Sequence, residues 1–267
     1  MLDPNPALSP LLRVFAIAVI LVLIGGSLLL IYPAAIVPYW PWRLAPFTAR
    51  FLGAFYLAEM AAIGALACYN RWTPARLVLV MAVLFTAIVS AVSLWHLDRF
   101  DLNRWRSWGW FAVYLGSAAI SAYFLWRYRQ LPHPGWEPPP ALRTFFRAQA
   151  LVLTLYGLAL LLLPQIATGF WPWPIDRFHT QVYSAIFLTG GIGALLLSRR
   201  IAKPDLLAFG LAQVILGAGA IIGLLLADSA ANVVRWSAPG TWLWLAVFAG
   251  FVVTGGVALF GMRRGPR

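Results

Sequence analysis

Glu59 is the residue whose position most demands an explanation. It sits in Leu57-Ala58-Glu59-Met60-Ala61, near the middle of a long apolar run. A charged side chain at the centre of a bilayer costs roughly 2.5–3.5 kcal/mol on insertion scales, so a retained carboxyl there faces other helices. Tyr56 lies one helical turn earlier, within reach of a hydrogen bond. Two roles are open to this pair. Glu59 either couples to a proton or a ligand, with Tyr56 beside it, or is a buried acid bonded between helices.

Histidines offer a second kind of chemistry. His179 and Asp176 stand three residues apart at the edge of another apolar run, and His96 lies beside Asp98. Asp176 and His179 are candidate ligand-binding residues at the outer face. Asp176 is equally a candidate N-cap for the helix that begins near Phe178. His133 falls in a proline-rich linker and is expected to be solvated. No His-x-x-His or His/Cys cluster is present, so no metal, haem or other cofactor is expected. Nor is there a Walker loop, a Gly-x-Ser-x-Gly elbow or a His-Glu-x-x-His helix.

The elements that must position these groups are membrane helices. The 267 residues are 62% hydrophobic and 10% charged, whereas soluble domains carry about 25% charged residues. A span takes about 20 apolar residues. Eight stretches qualify: Val14–Tyr32, Thr48–Tyr69, Arg76–Leu97, Trp108–Trp126, Phe145–Leu163, Thr180–Ser198, Leu206–Ala227 and Thr241–Met262. Continuous apolar runs mean helices and not barrel strands. The first run is longer than a signal-peptide core and is expected to be retained. Cys68, the single cysteine, excludes an intramolecular disulfide and reads as a small apolar filler.

Eight spans place both termini on one side. That side collects 13 of the 20 basic residues, from Arg13 to Arg263, Arg264 and Arg267, and the other side 7. The positive-inside rule then predicts cytoplasmic termini in a bacterial plasma membrane. The formal net charge of +12 belongs beside anionic headgroups, and nucleic acid is not an expected partner. Membrane lipids are, and a protein partner or a second copy of the chain is a further possibility.

A shift of 131 residues brings the chain onto itself. Trp40-Pro41-Trp42 falls on Trp171-Pro172-Trp173, Pro33 on Pro164, Phe47 on Phe178, Arg104-Trp105 on Arg235-Trp236 and Gly109 on Gly240. The expected architecture is all-α: two tandem, parallel four-helix repeats, residues 1–130 and 143–267, standing as two bundles side by side. Residues 131–142 join them as an extended cytoplasmic spacer rich in proline. Glu59 falls on Gly190, so the two halves differ at that point.

Eleven of the 14 tryptophans lie towards the outer face. Trp40, Trp42, Trp171 and Trp173 alternate with prolines that interrupt a regular helix. They are expected to lie flat among the headgroups as interfacial anchors, or to form a lip around a lateral opening. The stretch Phe170-Trp171-Pro172-Trp173-Pro174, followed by Phe178 and a glycine-rich helix, resembles polytopic membrane proteins of bacteria, notably actinobacterial ones. That resemblance implies a multi-pass fold and no particular activity. The glycines at 190, 191 and 193 and at 217 and 219 mark helix faces that allow close packing.

Three function classes follow. One is a small permease or a handler of lipid or hydrophobic ligands, with its site between the repeats near Glu59. A second is a structural or accessory subunit of a membrane complex. The third is a membrane-embedded enzyme acting on lipid. Span interiors hold few polar residues, chiefly Glu59, Gln149 and Gln213, which disfavours a transporter of hydrophilic substrates.

Overall fold

The computed structural model describes residue 3, residues 5–232 and residues 234–262. Arg263, Arg264 and Arg267, part of the orientation argument, lie outside the described residues. Among the described residues, eight helices are long and apolar enough to cross a membrane. They are α1 (Pro10–Ser27), α2 (Pro46–Tyr69), α3 (Trp72–Trp95), α4 (Trp105–Arg127), α5 (Pro140–Leu162), α6 (Arg177–Leu197), α7 (Lys203–Ala231) and α8 (Pro239–Gly261). The protein is a multi-pass membrane protein.

Each helix begins a little before the apolar run that announces it. Local start signals explain the extension. Pro10, Pro46, Pro140 and Pro239 occupy first helical positions, where a missing N–H costs nothing and φ is already set. Ser9 caps α1 through its hydroxyl, and Asp176 caps α6 through its carboxylate. Asn70 and Asn232 end α2 and α7 in the left-handed conformation that asparagine tolerates.

Four inner helices form the centre. The most extensive single pairing crosses the boundary between the halves, α2 on α7, and α3 also packs across it on α6. Each inner helix carries one outer helix, α1 on α2, α4 on α3, α5 on α6 and α8 on α7. The expected picture of two bundles side by side is therefore corrected. The inner helices of both halves interlock into one core. At the α2–α7 crossing, a Cβ on Gly219 would stand 2.9 Å from the Cβ of Ala54, so glycine is what permits that approach.

The linker is not a free spacer. Trp136 and Ile201 exchange backbone hydrogen bonds of 2.9 Å, joining the linker to the turn between α6 and α7. His133, expected to be solvated, is only 19% exposed, and its Nε2 lies 3.2 Å from Oδ2 of Asp205. Burying a carboxylate requires a partner, and the linker brings one. The first half does the same: Trp72 N–H donates to the Pro6 carbonyl, and Thr73 N–H donates to the Asn5 side chain. Cys68 is exposed instead of filling a core.

Candidate functional site

Glu59 lines a groove of about 490 Å³ walled by α1, α2, α3 and α4. Glu59 also lines a smaller cavity between the halves, where the site was expected, but the groove lies wholly within the first half. Its walls run from Leu12 to Gly26 along α1, about 21 Å at 1.5 Å per residue. The flanking helices α1 and α4 do not pack substantially against one another, so the groove lies between two lipid-facing helices. Tyr39, Trp105 and Arg106 stand at its outer end. The Arg106 guanidinium donates to the Pro38 carbonyl and holds the outer loop there.

In the second half the outer helices close up on the inner ones. A Cβ on Gly191 would stand 2.5 Å from Oγ1 of Thr154, and one on Gly217 would collide with the Phe248 carbonyl. These glycines let α5 meet α6 and α7 meet α8. The residues 131 positions earlier are Met60 and Thr86. The first half thus carries larger side chains at the two positions where the second half has these glycines.

Tyr56 shares the groove with Glu59, but the bond expected between them is not made. Tyr56 instead pairs with Tyr114 of α4, hydroxyl to hydroxyl at 2.8 Å. Tyr114 gives the Tyr56 hydroxyl a partner across the groove, and that contact takes the place of one along α2. Among the described residues Glu59 makes no hydrogen bond or ion pair, so its carboxyl has no protein partner. The indole N–H of Trp40 and the hydroxyl of Ser121 also line the groove, buried and without a partner in the protein. The wall is otherwise almost entirely apolar.

His179 and Asp176 form a different cluster, and neither lines the groove. Trp42 Nε1–H donates to Nε2 of His179 at 2.8 Å. An indole nitrogen only donates, so Nε2 is the acceptor and the ring proton sits on Nδ1. Nδ1 donates to Oδ1 of Asp176 at 2.8 Å, and the same oxygen accepts the His179 backbone N–H at 2.9 Å. Burial opposes the Asp176 charge, but the His179 hydrogen bonds and the Arg99 guanidinium 3.7 Å away outweigh it, and the carboxyl is lowered to about 2. Both imidazole nitrogens are committed within the protein. The candidate ligand-binding role of this pair therefore gives way to a structural tie, with Asp176 as the helix cap.

The Trp-Pro-Trp rings also differ from expectation. Trp42, Trp171 and Trp173 are 8%, 8% and 5% exposed. These three rings pack inside the protein instead of lying open at its surface. Trp42 meets Trp110 edge-on at 4.5 Å, and Phe47 stacks on Trp173 at 5.1 Å. Trp40 packs against Tyr56 and Trp110 at the upper wall of the groove. The strongly exposed indoles are those of Trp95, Trp105, Trp108, Trp126 and Trp242, and these suit the interfacial belts.

Sequence reasoning singled out Glu59 and Tyr56 but not Tyr114, Trp110 or Ser121. Tyr114 comes 58 residues after its partner, with no motif to connect them. No protein-family model, curated protein or solved structure matches this chain.

Proposed function

We propose that the protein binds an elongated hydrophobic or amphiphilic molecule drawn from the bilayer, and acts as a lipid-handling protein or small permease. One observation carries this reading: an unpartnered carboxyl opens onto a long apolar groove flanked by two lipid-facing helices. A buried polar group without a protein partner is held for something else. Glu59 would take a hydrogen-bonding or basic group of the ligand at mid-membrane depth. The apolar walls accept a chain.

Catalysis on lipid would need an acid–base pair, and His179 and Asp176 are bonded to each other and to Trp42.

The membrane is read as a bacterial inner membrane with both termini cytoplasmic, supported by the excess of basic residues on the terminal side. The halves are read as copies of one unit. The matching order of helix pairings in each half supports this reading.

Native mass spectrometry in nanodiscs tests the ligand reading. Wild-type protein should retain a specific lipid or hydrophobic adduct that Glu59→Gln loses. Identical spectra for the two proteins would overturn it.

A further inference from the structure

The loops of the second half opposite the termini enclose a cleft of about 540 Å³. One wall is the connection between α5 and α6, from Gln165 to Ile175, and the other is the connection between α7 and α8, from Arg235 to Thr241. Its volume is that of a small-molecule site, and its wall is polar and apolar in nearly equal measure. Every residue lining the groove at Glu59 belongs to the first half, so the two sites are separate.

Among the described residues that line the cleft, Arg235 alone is charged. Arg235 and Gln165 are both exposed, which leaves their N–H donors open to a ligand. The Arg235 carbonyl accepts from the Thr241 hydroxyl at 2.8 Å. Its guanidinium has no hydrogen-bond or ion-pair partner among the described residues. Asp228, at the end of α7, accepts instead from the Val234 N–H and the Trp236 indole.

The first half shows what is missing here. Its arginine 131 positions earlier, Arg104, pairs with Asp101 at 2.7 Å, and Arg106 donates to the Pro38 carbonyl, tying its two loops together. The residues 131 positions after Asp101 and Arg106 are Asn232 and Ser237. The second half therefore keeps the arginine, lacks its acidic partner and lacks the tie across the loops.

The walls are preformed. Trp173 stacks on Phe47, and both Trp171 and Trp173 meet Trp244 edge-on. A Cβ on Gly240 would stand 2.7 Å from the Phe170 carbonyl oxygen, so the two walls touch at that point. Beside Gln165, the side chains of Leu163 and Ile166 are strongly exposed, as lipid-facing apolar groups are.

We propose that this cleft binds the anionic headgroup of a phosphate-bearing molecule, with Arg235 on the phosphate and Gln165 beside it. A guanidinium fork matches phosphate oxygens in charge and geometry. The apolar rim at Leu163 and Ile166 gives acyl chains a way out of the cleft into the bilayer, which makes a phospholipid a better source of the headgroup than a free phosphate ester.

Native mass spectrometry tests the site on protein released from nanodiscs of equal phosphatidylcholine and phosphatidylglycerol. Wild type should retain phosphatidylglycerol in preference, and Arg235→Gln should bind it about tenfold more weakly, as the loss of a charged hydrogen bond predicts. Arg104→Gln removes an equally exposed cation of the same region in the other half and should match wild type. A second arm titrates glycerol 3-phosphate into delipidated protein in a neutral detergent. Binding there that needs Arg235, without a lipid preference, would keep the site and make a free phosphate ester its source. Arg235-independent binding in both arms, or an equal loss in Arg104→Gln, would overturn the proposal. Glu59→Gln should leave this adduct in place, and its loss in that variant would assign the lipid to the groove and overturn the cleft.

Discussion

Trp42 donates its indole N–H to Nε2 of His179 across 2.8 Å, tying the outer loop of the first half to the start of α6 in the second. The bond is buried, and it fixes the imidazole tautomer that Asp176 then receives. Trp42→Phe keeps the ring and deletes the donor, leaving a buried acceptor unmet. The expected cost is about 1–3 kcal/mol, read as a lower thermal midpoint in detergent. His179→Ala combined with Trp42→Phe should cost less than the sum of the two, since both remove one interaction. Strict additivity would show that the two side chains are not coupled.

Acid should expose the other end of this tie. The Asp176 carboxyl is lowered to about 2 in the folded protein, below the roughly 3.9 of an unfolded aspartate. A depressed folded value adds stability that is present above about pH 4 and is lost as pH falls towards 2. Asp176 is 39% exposed, so solvent screening keeps the effect modest. Wild-type protein should lose more of its thermal midpoint between pH 4 and 2 than Asp176→Asn. Parallel curves would remove the charge from the account of this cap.

Gly116 gives a way to block the groove without disturbing the fold. It lines the groove, and a Cβ there meets nothing within 4 Å. Gly116→Leu should keep or slightly raise stability, because glycine inside a helix is unfavourable by about 0.5–1 kcal/mol relative to alanine. The same variant should lose the adduct seen by native mass spectrometry. Retention of the adduct would place the ligand elsewhere.

Gly191→Leu should behave in the opposite way. Its Cβ would meet Thr154 at 2.5 Å, and overpacking of this kind costs about 1–3 kcal/mol. Gly64→Ala, with open space around the Cβ, is the control and should be stabilising. Equal midpoints for the two variants would contradict the close approach of α5 and α6.

On the opposite face, His133→Ala should be more damaging than a linker substitution ordinarily is. It strands Asp205, whose side chain is 2% exposed, and removing one member of a buried pair costs about 3–5 kcal/mol. The half-life at elevated temperature should shorten markedly, and His133→Ala, Asp205→Asn should recover part of it. No recovery would show that His133 contributes only packing.

The spans were legible in the sequence because the bilayer imposes a length and a polarity that composition cannot hide. Glu59 was legible for the same reason, as an expensive residue in a cheap environment. The pairing of α2 with α7 was not. Those helices are apolar nearly all round, so no polar face marks which side meets protein and which meets lipid. The fate of the tryptophans was equally hidden. An indole suits a headgroup layer and a buried aromatic cluster alike, and only the fold of the two outer loops decides that Trp42 and Trp173 turn inward while Trp105 turns out. Gln213 stood out only as a polar residue in an apolar span, and Tyr114 carries no signal until α4 is placed beside Glu59.

The unpacked flank between α1 and α4 has a consequence for how binding to this protein is counted. A site that opens sideways is filled from the membrane plane, where the competing solvent is bulk lipid at enormous excess. Occupancy is then governed by the ligand's mole fraction in the bilayer and not by its concentration in buffer. Diluting the buffer would leave such a ligand in place, while adding detergent or inert lipid would strip it. Affinities for the groove would be comparable between preparations only when expressed per lipid molecule.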